Sequence, residues 1–284
     1  MNTLVDNPVV QDLIRRALAE DIGGGDVTTL SVVPETSRGK ALILSRGNYV
    51  VSGGDVAAAV FSSVDPSLRC KCVVADGTVA TMDQVLMTIE GPIRGILTGE
   101  RTALNFMQRM TGIATRTRQF VDKVKPFGTK ILDTRKTTPT LRILEKYAVT
   151  CGGGTNHRMG LYDMVLIKDN HRRLWQAAGI SNLHEAVVAA RARFPGIPVE
   201  VEVESEDELR DALRAKPEWI MLDNMEPGRM KACVEICAKR CQLEASGGVT
   251  LATVEVIAAT GVDAISIGGL THSSPAADLS LELE

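Results

Sequence analysis

Aromatic residues are scarce in this chain, at 4% of 284 residues, and positive charge is not in excess. Proteins that bind single-stranded nucleic acid stack bases on aromatic side chains, so this composition does not suit that role. The 32 Lys and Arg residues are outnumbered by 35 Asp and Glu residues, which leaves a formal charge of -3. This negative balance argues against DNA or RNA as the main partner, and no nucleic-acid partner is expected.

Long hydrophobic runs and dense cysteines are also missing. No apolar run approaches the roughly 18 residues that a membrane-spanning helix requires, so no membrane partner is expected. The opening segment MNTLVDNPVV lacks the basic and apolar regions of a secretory signal. Six cysteines are too few for a disulfide scaffold, which favours a reduced, cytoplasmic protein. Cys233, Cys237 and Cys241 follow helical spacing; they form either a metal site or, as we favour, small buried side chains.

Several motifs that would define a known chemistry are absent. The sequence has neither the GxGxxG pattern of a dinucleotide-binding turn nor the GxxxxGKS/T pattern of a phosphate-binding loop. Its 4 histidines show no HExxH or other paired metal spacing, and no GxSxG turn is present. Dinucleotide binding, P-loop nucleotide binding, a catalytic zinc and serine-hydrolase chemistry are therefore not expected.

The first third of the chain mixes helical and strand patterns. Apolar side chains at helical spacing predict helices, and short apolar runs between turns predict strands. The apolar stripe of the long last helix, which includes Met107 and Met110, is interpreted as core. We take residues 1–112 as an N-terminal domain. The predicted helices cover 8–21, 52–64 and 100–125, and the predicted strands cover 39–46, 69–76 and 84–93.

From residue 129 onward, short apolar runs alternate with helical segments. The runs are TKILD, DMVLIK, PVEVEV, WIMLD, QLEAS and AISIGG. Such alternation predicts βαβ units and a parallel sheet. Because no dinucleotide motif is present, we expect a closed TIM-like α/β barrel short of eight strands in residues 113–274; an open doubly wound sheet is the alternative. The tail 275–284 alternates in polarity and is expected to return to the sheet of the first domain.

Basic side chains follow the predicted strand ends. In a parallel α/β barrel, the carboxyl ends of the strands and the loops after them build the active site. Taken singly, each basic residue would be an ordinary solvated charge, but five at one rim are unusual in a chain that is negative overall. Since Arg binds an oxyanion through two hydrogen bonds, this cluster suits a substrate with several carboxylates or phosphates. The cluster comprises Arg135, Lys136, His157, Arg158 and Lys168.

Other strand ends offer glycine turns and carboxylates. Ser246-Gly247-Gly248 precedes a predicted helix, VTLATVEVIA, and would offer a phosphate its backbone N–H groups and a helix N-terminus. Ser266-Ile267-Gly268-Gly269 is a second such turn one βα unit further on, where barrels commonly bind phosphate. Helix caps use the same residues, so each turn alone is a weak signal. Glu202 and Asp223 would hold a hydrated Mg²⁺ or ribose hydroxyls, or else form structural ion pairs with a neighbouring Lys or Arg. In VEVEVE, alternate glutamates share one strand face, and a polar face inside a barrel favours functional use.

At these residues the sequence resembles the quinolinate phosphoribosyltransferase family over nearly the whole chain. The segments that carry the resemblance are LAEDIGGGDVTT, GERTALNFMQRMTGIAT, DTRKTTPTLRILEKYAVTCGGGTNHRMGLYDMVLIKDNH, EVEVE, IMLDN, EASGGVT and SIGGLTHS. The resemblance implies an N-terminal α/β sandwich domain and an incomplete, six- to seven-stranded TIM-like α/β barrel. It also implies that quinolinate and phosphoribosyl pyrophosphate become nicotinate mononucleotide, pyrophosphate and carbon dioxide in de novo NAD biosynthesis. Family members are homo-oligomers, either dimers or larger assemblies such as hexamers.

The resemblance also implies roles for individual residues. Arg101 stands apart from the rim, and the family implies that it reaches the site of a neighbouring subunit. One departure is Thr140, where the family more often has glycine; we expect an altered loop turn but no lost charge. The implied catalytic set is Lys136, Lys168, Glu202 and Asp223, with Mg²⁺ as cofactor. The implied substrate contacts are Arg101, Thr134, Arg135, Lys136, His157, Arg158 and Lys168 for quinolinate and pyrophosphate, Glu202 and Asp223 near the ribose and Mg²⁺, and Ser246, Gly247, Gly248, Ser266, Gly268 and Gly269 around the 5′-phosphate.

Two other functions stay open at this point. An enzyme of the same architecture that acts on nicotinate would need fewer carboxylate ligands, and the three arginines with His157 favour the dicarboxylate quinolinate. A non-catalytic relative that only senses an anion would be expected to lack Glu202, Asp223 or Lys136. All three of these residues are present.

Overall fold

The computed structural model describes residues 4–177, 179 and 182–284. Within these residues, no helix has both the length and the apolar composition needed to cross a membrane. The domain boundaries expected from the sequence stay a prediction, and the compact units of the structure divide the chain differently around residues 137–153. The first unit comprises Met1–Arg118, Thr137–Gly153 and Leu270–Glu284, and the second comprises Gln119–Lys136 and Gly154–Gly269.

The first part of the chain forms short helices and antiparallel strands. Tyr49–Val50 and Val79–Ala80 pair in a small separate sheet, while the longer strands belong to a four-stranded sheet. The elements before residue 93 are a short 3-10 helix (Leu4–Asp6), α1 (Pro8–Ile22), α2 (Val27–Val32), β1 (Arg38–Ser45), β2 (Tyr49–Val50), α3 (Gly54–Val64), β3 (Arg69–Cys72), β4 (Val79–Ala80) and β5 (Val85–Pro92).

The remainder of the chain alternates strands and helices and ends in a strand. The elements are α4 (Ile93–Val124), a 3-10 turn (Lys125–Phe127), β6 (Lys130–Leu132), α5 (Arg142–Cys151), β7 (Val165–Ile167), α6 (Asp169–Ala177), α7 (Leu183–Arg193), β8 (Val199–Val203), α8 (Glu206–Leu213), β9 (Trp219–Asp223), α9 (Pro227–Cys237), β10 (Gln242–Ser246), α10 (Val254–Ala258), β11 (Ala264–Ser266), α11 (Gly269–His272) and β12 (Leu279–Leu283).

The four-stranded antiparallel sheet of the first unit has the order β12-β1-β5-β3. Ala41 and Ile43 of β1 are fully buried, and the strand pairs with β5 on one side and with β12 on the other. Ile43 lies opposite Met87 of β5 and Leu281 of β12. The end of the chain therefore supplies an edge strand to a sheet that begins near residue 38.

Local sequence explains where the first helices begin and end. Asn7 caps α1 by accepting a hydrogen bond of 2.9 Å from the Val9 N–H. Gly23, whose φ of 52° suits glycine, follows the last turn of α1. Asp26 then caps α2, because its carboxylate accepts the Thr29 N–H at 3.0 Å. The sequence analysis did not predict this second helix, which has only 6 residues.

Helix α4 begins at Ile93, well before the predicted start at residue 100. Gly95 and Gly99 lower the intrinsic preference of this stretch for a helix, which is why the sequence suggested a later start. In the structure, both glycines permit close packing. A Cβ on Gly95 would lie 3.0 Å from the Cβ of Asp65, and one on Gly99 would lie 2.9 Å from Cδ1 of Phe61. Tertiary packing therefore outweighs the local preference.

The second unit contains six parallel strands in the order β6-β11-β10-β9-β8-β7. Strands β7 to β11 lie side by side in chain order, and β6 pairs with β11, the last of them. Pairing of the first strand with the last is what a barrel requires, whereas a doubly wound sheet reverses its order at a switch point. Among the described residues, β6 and β7 share no ladder. The incomplete TIM-like barrel is confirmed with six strands, and the doubly wound alternative is wrong.

The cysteines near the end of α9 pack as small side chains. Cys233 and Cys237 are buried, and Cys241 is half-buried in the turn after the helix. The Sγ of Cys233 lies 3.8 Å from the Sδ of Met225, and the Sγ atoms of Cys237 and Cys241 are 3.5 Å apart. In the described part of the chain, no cysteine belongs to a cluster of possible metal ligands. The packing favours the interpretation as buried hydrophobic groups.

Candidate active site

The carboxyl ends of the parallel strands surround a cavity of about 270 Å³. Strand β6 leads into residues 134–136 and β7 leads into Lys168, while β10 and β11 end at Ser246 and Ser266. Because these strands run parallel, their carboxyl ends meet at one rim. The lining residues are Thr134, Arg135, Lys136, His157, Arg158, Leu166, Lys168, Met221, Glu244, Ser246 and Ser266.

Most of the residues expected at the site from the sequence line this cavity, but seven do not. Four of the seven are glycines that continue the turns after Ser246 and Ser266. Glu202 and Asp223 stand on neighbouring strands, and Arg101 belongs to the first unit. The residues outside the lining are Arg101, Glu202, Asp223, Gly247, Gly248, Gly268 and Gly269.

Positive charge dominates the cavity. Arg135, Lys136, Arg158 and Lys168 contribute four cationic side chains to the lining, against the single carboxylate of Glu244. Burial, and then the neighbouring positive charge of Arg135, lower the pKa of Arg158. The carboxylates of Glu200 and Asp163 oppose this effect, and an anion bound between the two arginines would oppose it further. The cavity therefore suits a ligand that carries more than one negative group.

Carboxylates of the chain hold the loop that carries His157 and Arg158. Asp133, which is fully buried after β6, accepts the His157 backbone N–H at 2.8 Å. Asp163 accepts two further backbone N–H groups of the same loop at 2.7 and 2.9 Å. Arg158 donates from Nη1 to the carbonyl of Met164 at 3.1 Å. These contacts fix the guanidinium in advance, so that less ordering is needed when an anion binds.

His157 meets two buried carboxylates from β8 and β10. Its Nε2 lies 2.9 Å from Oε2 of Glu200 and 3.3 Å from Oε2 of Glu244. Burial and the negative charge of Glu244 raise the pKa of Glu200 to about 7. Burial opposes protonation of His157, but its hydrogen bonds with both carboxylates outweigh this effect and raise the pKa to about 10. At neutral pH the cluster therefore holds at least one proton more than three separate groups would.

The same three side chains also lie close enough together to be considered as metal ligands. Nδ1 of His157, however, accepts the Arg158 backbone N–H at 2.7 Å. An imidazole that binds a metal through Nε2 carries its proton on Nδ1 and donates it to an acceptor. The hydrogen bond that Nδ1 accepts therefore argues against a metal bound at Nε2.

Lys168 and Glu202 form an ion pair in which Nζ lies 3.0 Å from Oε2. The side chain of Glu202 is 7% exposed, whereas that of Lys168 is 44% exposed and lines the cavity. A structural ion pair was one of the two interpretations of Glu202 from the sequence. The pairing does not exclude a role in binding, because the exposed ammonium group has further donors for a ligand.

The Ser246–Gly248 turn is not followed directly by a helix, contrary to the expected helix N-terminus. Helix α10 begins only at Val254 and has 5 residues. Thr250 and Thr253 form a side-chain turn instead, in which the Thr250 N–H donates to Thr253 Oγ1 at 3.0 Å, and such turns compete with helix formation. Gly248 has φ of 57°, and no heavy atom lies within 4 Å of its Cβ position. Open space there lets an anion approach the backbone N–H groups directly.

The turn after β11 has a similar character. The hydroxyl of Ser266 is buried and has no hydrogen-bond partner within the described part of the chain. A buried polar group without a partner costs about 1–3 kcal/mol, so a ligand that bonds to it recovers free energy. Among the described residues, no neighbouring heavy atom lies within 4 Å of the position that a Cβ on Gly269 would occupy. Helix α11 begins at Gly269 and has only 4 residues. Backbone access, rather than a helix N-terminus, is what this turn offers.

Two further residues singled out from the sequence lie in the first unit. Arg101 is on α4 with a 60% exposed side chain, and Glu100 is 3.8 Å away. Thr140 has φ of 70°, a left-handed conformation that glycine adopts freely and a β-branched residue adopts at a cost. This backbone conformation explains why glycine is more common at this position in the family that the sequence resembles.

Sequence reasoning missed Glu244 as part of the cavity. This residue stands in β10 between the buried Leu243 and Ala245. A charged residue within an apolar strand was the available signal, because a buried carboxylate needs a partner. Leu166 and Met221 also line the cavity, but apolar strand residues carry no such signal.

A second cavity, of about 200 Å³, lies within the first unit among α1, α4 and α5. Its main charged groups are paired. Arg109 Nη2 lies 2.8 Å from Glu145 Oε1, and the Thr102 hydroxyl donates to Asp21 at 3.3 Å. None of the site residues expected from the sequence lines this cavity, and we do not include it in the candidate active site.

The fold and the strand-end cavity together define a class of protein. It is an α/β-barrel protein with a cavity at the carboxyl ends of its strands that four cationic side chains line. Many unrelated activities share this architecture, so the class alone does not give the reaction.

Comparison with known proteins gives the family. Residues 26–111 match the family described as quinolinate phosphoribosyl transferase, N-terminal domain, and residues 113–282 match its C-terminal domain. The chain is 43% identical to the nicotinate-nucleotide pyrophosphorylase (carboxylating) of Mycobacterium leprae, over 96% of each chain. It is 40% identical to the probable enzyme of this name from Synechocystis, covering 100% of this chain and 99% of the relative.

A solved structure supports the same assignment. The nicotinate-nucleotide pyrophosphorylase from Francisella tularensis superposes with a TM-score of 0.92 at 37% identity, and the match covers 100% of both chains. The chain belongs to the quinolinate phosphoribosyltransferase family.

Proposed function

We propose that this chain transfers the phosphoribosyl group of phosphoribosyl pyrophosphate to quinolinate and removes one carboxyl group. The products are nicotinate mononucleotide, pyrophosphate and carbon dioxide, as a step of NAD biosynthesis. The observation that carries the proposal is the cavity with four cationic side chains at the strand ends of a member of this family. Both substrates are polyanions, and a cavity of this charge attracts them.

Arg135 and Arg158 are the proposed ligands of the quinolinate carboxylates. Each guanidinium can bind one carboxylate through two parallel hydrogen bonds, and the two charges that repel each other without ligand are then both compensated. His157 is proposed to line the same part of the site. Since its ring nitrogens already bond to Arg158, Glu200 and Glu244, its main contribution would be to hold the arginine loop in place.

Phosphoribosyl pyrophosphate is proposed to bind across the other strand ends. The open backbone at Gly248 and the unpaired hydroxyl of Ser266 suit the 5′-phosphate. Lys136 and Lys168 line the cavity and suit the pyrophosphate. Thr134, Gly247, Gly268 and Gly269 complete the proposed set around these groups.

We propose Mg²⁺ as the cofactor, held with phosphoribosyl pyrophosphate rather than by the protein alone. Glu202 and Asp223 supply carboxylate oxygens, which are the donors that Mg²⁺ prefers. In the described residues, these two carboxylates do not form part of a preformed cluster of three ligands. Such a partial ligand set fits a metal that keeps several waters and arrives with substrate phosphates.

The reaction requires charge stabilisation and orientation, and no covalent nucleophile. When pyrophosphate leaves, positive charge develops on the ribose, and we propose that the carboxylates of Glu202 and Asp223 offset it. Lys136 and Lys168 neutralise the departing pyrophosphate from the protein side. Bound Mg²⁺ would add further positive charge at the pyrophosphate oxygens. The arginines hold quinolinate so that its ring nitrogen faces the anomeric carbon.

Decarboxylation follows from the charge that this transfer creates. The pyridine nitrogen becomes cationic when it bonds to the ribose, and it can then stabilise negative charge on the adjacent ring carbon as the carboxylate departs as carbon dioxide. The electron pair left on that carbon then takes up a proton from solvent. The protein must therefore hold the retained carboxylate more firmly than the leaving one. Two arginines in distinct settings, one fixed to the Met164 carbonyl, provide such a difference.

We further propose a homo-oligomer in the cytoplasm, in which Arg101 acts in the site of a neighbouring subunit. The exposed position of Arg101 supports its proposed role in a neighbouring subunit, because the side chain is available to another chain. The six cysteines, too few for a disulfide scaffold, support a reducing compartment.

A direct assay tests the proposed function. Purified protein is mixed with quinolinate, phosphoribosyl pyrophosphate and Mg²⁺, and the release of carbon dioxide and loss of quinolinate absorbance are followed. We expect both signals to depend on each substrate and to fall when Mg²⁺ is chelated. No turnover with correctly folded protein would refute the function.

Nicotinate is the informative alternative substrate. It lacks the second carboxylate, and an unpaired buried cation costs roughly 1–3 kcal/mol or more. We therefore expect turnover efficiency with nicotinate to be at least about tenfold lower than with quinolinate. Comparable efficiencies for the two acids would instead favour the nicotinate-using function.

A further inference from the structure

Asn224 occupies an unusual backbone position directly after strand β9. Its φ of 51° is left-handed, a region that few residues other than glycine adopt and that asparagine tolerates best. The turn directs the Asn224 backbone N–H to the carbonyl of Ser246 at 2.9 Å. In the β9–β10 ladder, Ser246 stands opposite Asp223, so Asn224 extends this pairing by one residue beyond the strand end.

The side chain of Asn224 contacts the preceding carboxylate. Its Nδ2 donates a hydrogen bond of 2.7 Å to Oδ2 of Asp223. A neutral donor on one carboxylate oxygen restricts rotation of the group and leaves the other oxygen, Oδ1, for a ligand. The amide of Asn224 therefore sets which way the Asp223 carboxylate faces.

The other end of the same amide lies against the glycine turn after β10. A Cβ on Gly247 would be 2.1 Å from the Oδ1 of Asn224 and 2.6 Å from its Cγ. Gly247 also has φ of 104°, so both its backbone and its surroundings demand glycine. One side chain thus contacts Asp223 on β9 and the turn that contains Gly247 and Gly248 on β10.

We propose that Asn224 is a positioning residue for phosphoribosyl pyrophosphate. It sets the spacing between Asp223, proposed to act near the ribose, and the Ser246–Gly248 turn, proposed to bind the 5′-phosphate. This inference rests on the proposed function. The two parts of the site bind opposite ends of one ribose 5-phosphate group, so their separation must match the length of that group.

The geometry gives Asn224 a selective effect on one substrate. Quinolinate is assigned to Arg135 and Arg158, which follow β6 and precede β7, whereas the hydrogen bonds of Asn224 join the ends of β9 and β10. Loss of the amide releases the Asp223 carboxylate and leaves space beside Gly247. Binding of phosphoribosyl pyrophosphate should weaken, and binding of quinolinate should not.

Asn224→Gly is the variant that isolates this effect. Glycine keeps the left-handed backbone and removes only the amide. The matched control is Lys216→Gly, because Lys216 is an exposed residue with the same φ of 51° that precedes β9 at its other end. Asn224→Asp is a second test, in which the hydrogen-bond donor is replaced by a carboxylate that repels Asp223.

The measurements are initial rates against each substrate and calorimetric titration with phosphoribosyl pyrophosphate and Mg²⁺ in the absence of quinolinate. For Asn224→Gly we expect the KM for phosphoribosyl pyrophosphate and its dissociation constant to rise about tenfold, the size of one hydrogen bond. The KM for quinolinate should stay within about twofold of the wild-type value. Asn224→Asp should weaken the same substrate at least as much, and Lys216→Gly should match the wild type.

Two results would overturn the inference in a wild-type protein that is active. One is an unchanged KM for phosphoribosyl pyrophosphate in both Asn224 variants. The other is a rise of both KM values together, which would indicate general disruption of the site. Partial unfolding is distinguishable, because it lowers kcat by reducing the number of active molecules and leaves both KM values unchanged. An inactive wild type, by contrast, would refute the proposed function itself.

Discussion

Arg135 and Arg158 place like charges next to each other in a partly buried cavity. Burial and then the charge of Arg135 lower the pKa of Arg158, although the carboxylates of Glu200 and Asp163 oppose this effect. Binding of a dicarboxylate would relieve this repulsion and gain hydrogen bonds at the same time. If these residues bind quinolinate as proposed, its discrimination from a monoacid depends on the geometry of two guanidinium groups and not on net charge alone.

Replacement of either arginine by lysine tests this view. Arg135→Lys and Arg158→Lys keep the charge but lose the planar fork that binds a carboxylate through two hydrogen bonds. We expect kcat/KM for quinolinate to fall at least about tenfold, or about 1.4 kcal/mol, with the fold retained. Arg214→Lys is the control, since Arg214 is 64% exposed and pairs with Asp211, away from the strand-end cavity. Near-normal activity in both site variants would reduce these residues to ordinary surface charges.

Thr140 gives a prediction about stability instead of activity. Its φ of 70° costs a β-branched residue about 1–2 kcal/mol, a strain that glycine avoids. Thr140→Gly should therefore raise the free energy of unfolding by about 1 kcal/mol in urea titrations, after the greater flexibility of glycine in the unfolded chain is subtracted. Thr78→Gly, at an exposed position without a positive φ, should lower it. Equal effects at both positions would contradict the left-handed assignment.

At the scale of elements, the sequence identified the strands of the two larger sheets, but not the short pair β2 and β4 or the conformation of the turns after the barrel strands. The runs that end at Asp223 and Ser246 became β9 and β10, because buried apolar residues repeat with turn signals after them. The helix expected after Ser246–Gly248 is delayed to Val254, since two threonines form their own turn first. Local side-chain hydrogen bonds of this kind leave no periodic pattern, and so sequence periodicity could not reveal them.

At the start of α4, tertiary packing and not local hydrogen bonding limits what the sequence can predict. Its early turns contain glycines that only tertiary packing explains, and the same holds further along at Gly112. A Cβ on Gly112 would lie 2.0 Å from the carbonyl oxygen of Pro275 and 3.1 Å from the Cα of Ala276. The segment before β12 therefore runs directly against the backbone of α4, and no larger residue fits between them.

Gly112→Ala should disturb the packing of the segment before β12 against α4. Overpacking against backbone, which cannot rotate away, typically costs about 1–3 kcal/mol. We expect a drop of that size in the free energy of unfolding and faster hydrogen exchange in β12. Gly228→Ala on α9 is the control, because no heavy atom lies near its Cβ position and alanine favours a helix by up to about 1 kcal/mol. A neutral Gly112→Ala would show that the segment moves without cost.

At the scale of the molecule, the regular spacing of strands predicted the barrel, and the pairing of β6 with β11 confirms it. The grouping of Thr137–Gly153 with the first compact unit could not be predicted in the same way. This segment lies between two barrel strands in the sequence, and only contacts such as that of Arg109 with Glu145 assign it elsewhere. Candidate residues at strand ends were predictable because parallel topology brings them together. The presence of Glu244 in the cavity was not, because it depends on which face of β10 turns inward.

The proposed oligomer makes a prediction about mixed proteins. Arg101→Ala and Lys136→Ala should each be inactive alone, because each removes a cation from every site. If Arg101 acts across a two-fold interface, a mixed dimer has one site with both defects and one with neither. Random exchange makes about half of the dimers mixed, so roughly a quarter of all sites should regain activity. Exchange proven by mass spectrometry without any recovery would exclude the shared site.

Strand β1 emerges from the ribosome long before its edge partner has been made. Ala41 pairs with Leu283, about 240 residues later in the chain. At roughly 5–20 residues per second, translation leaves that edge of β1 uncovered for about 12–48 s. An uncovered strand edge is a template for pairing with another nascent chain. Translation that stops before residue 279 would leave the edge open permanently, so truncated products are expected to aggregate or to be degraded instead of accumulating as folded fragments.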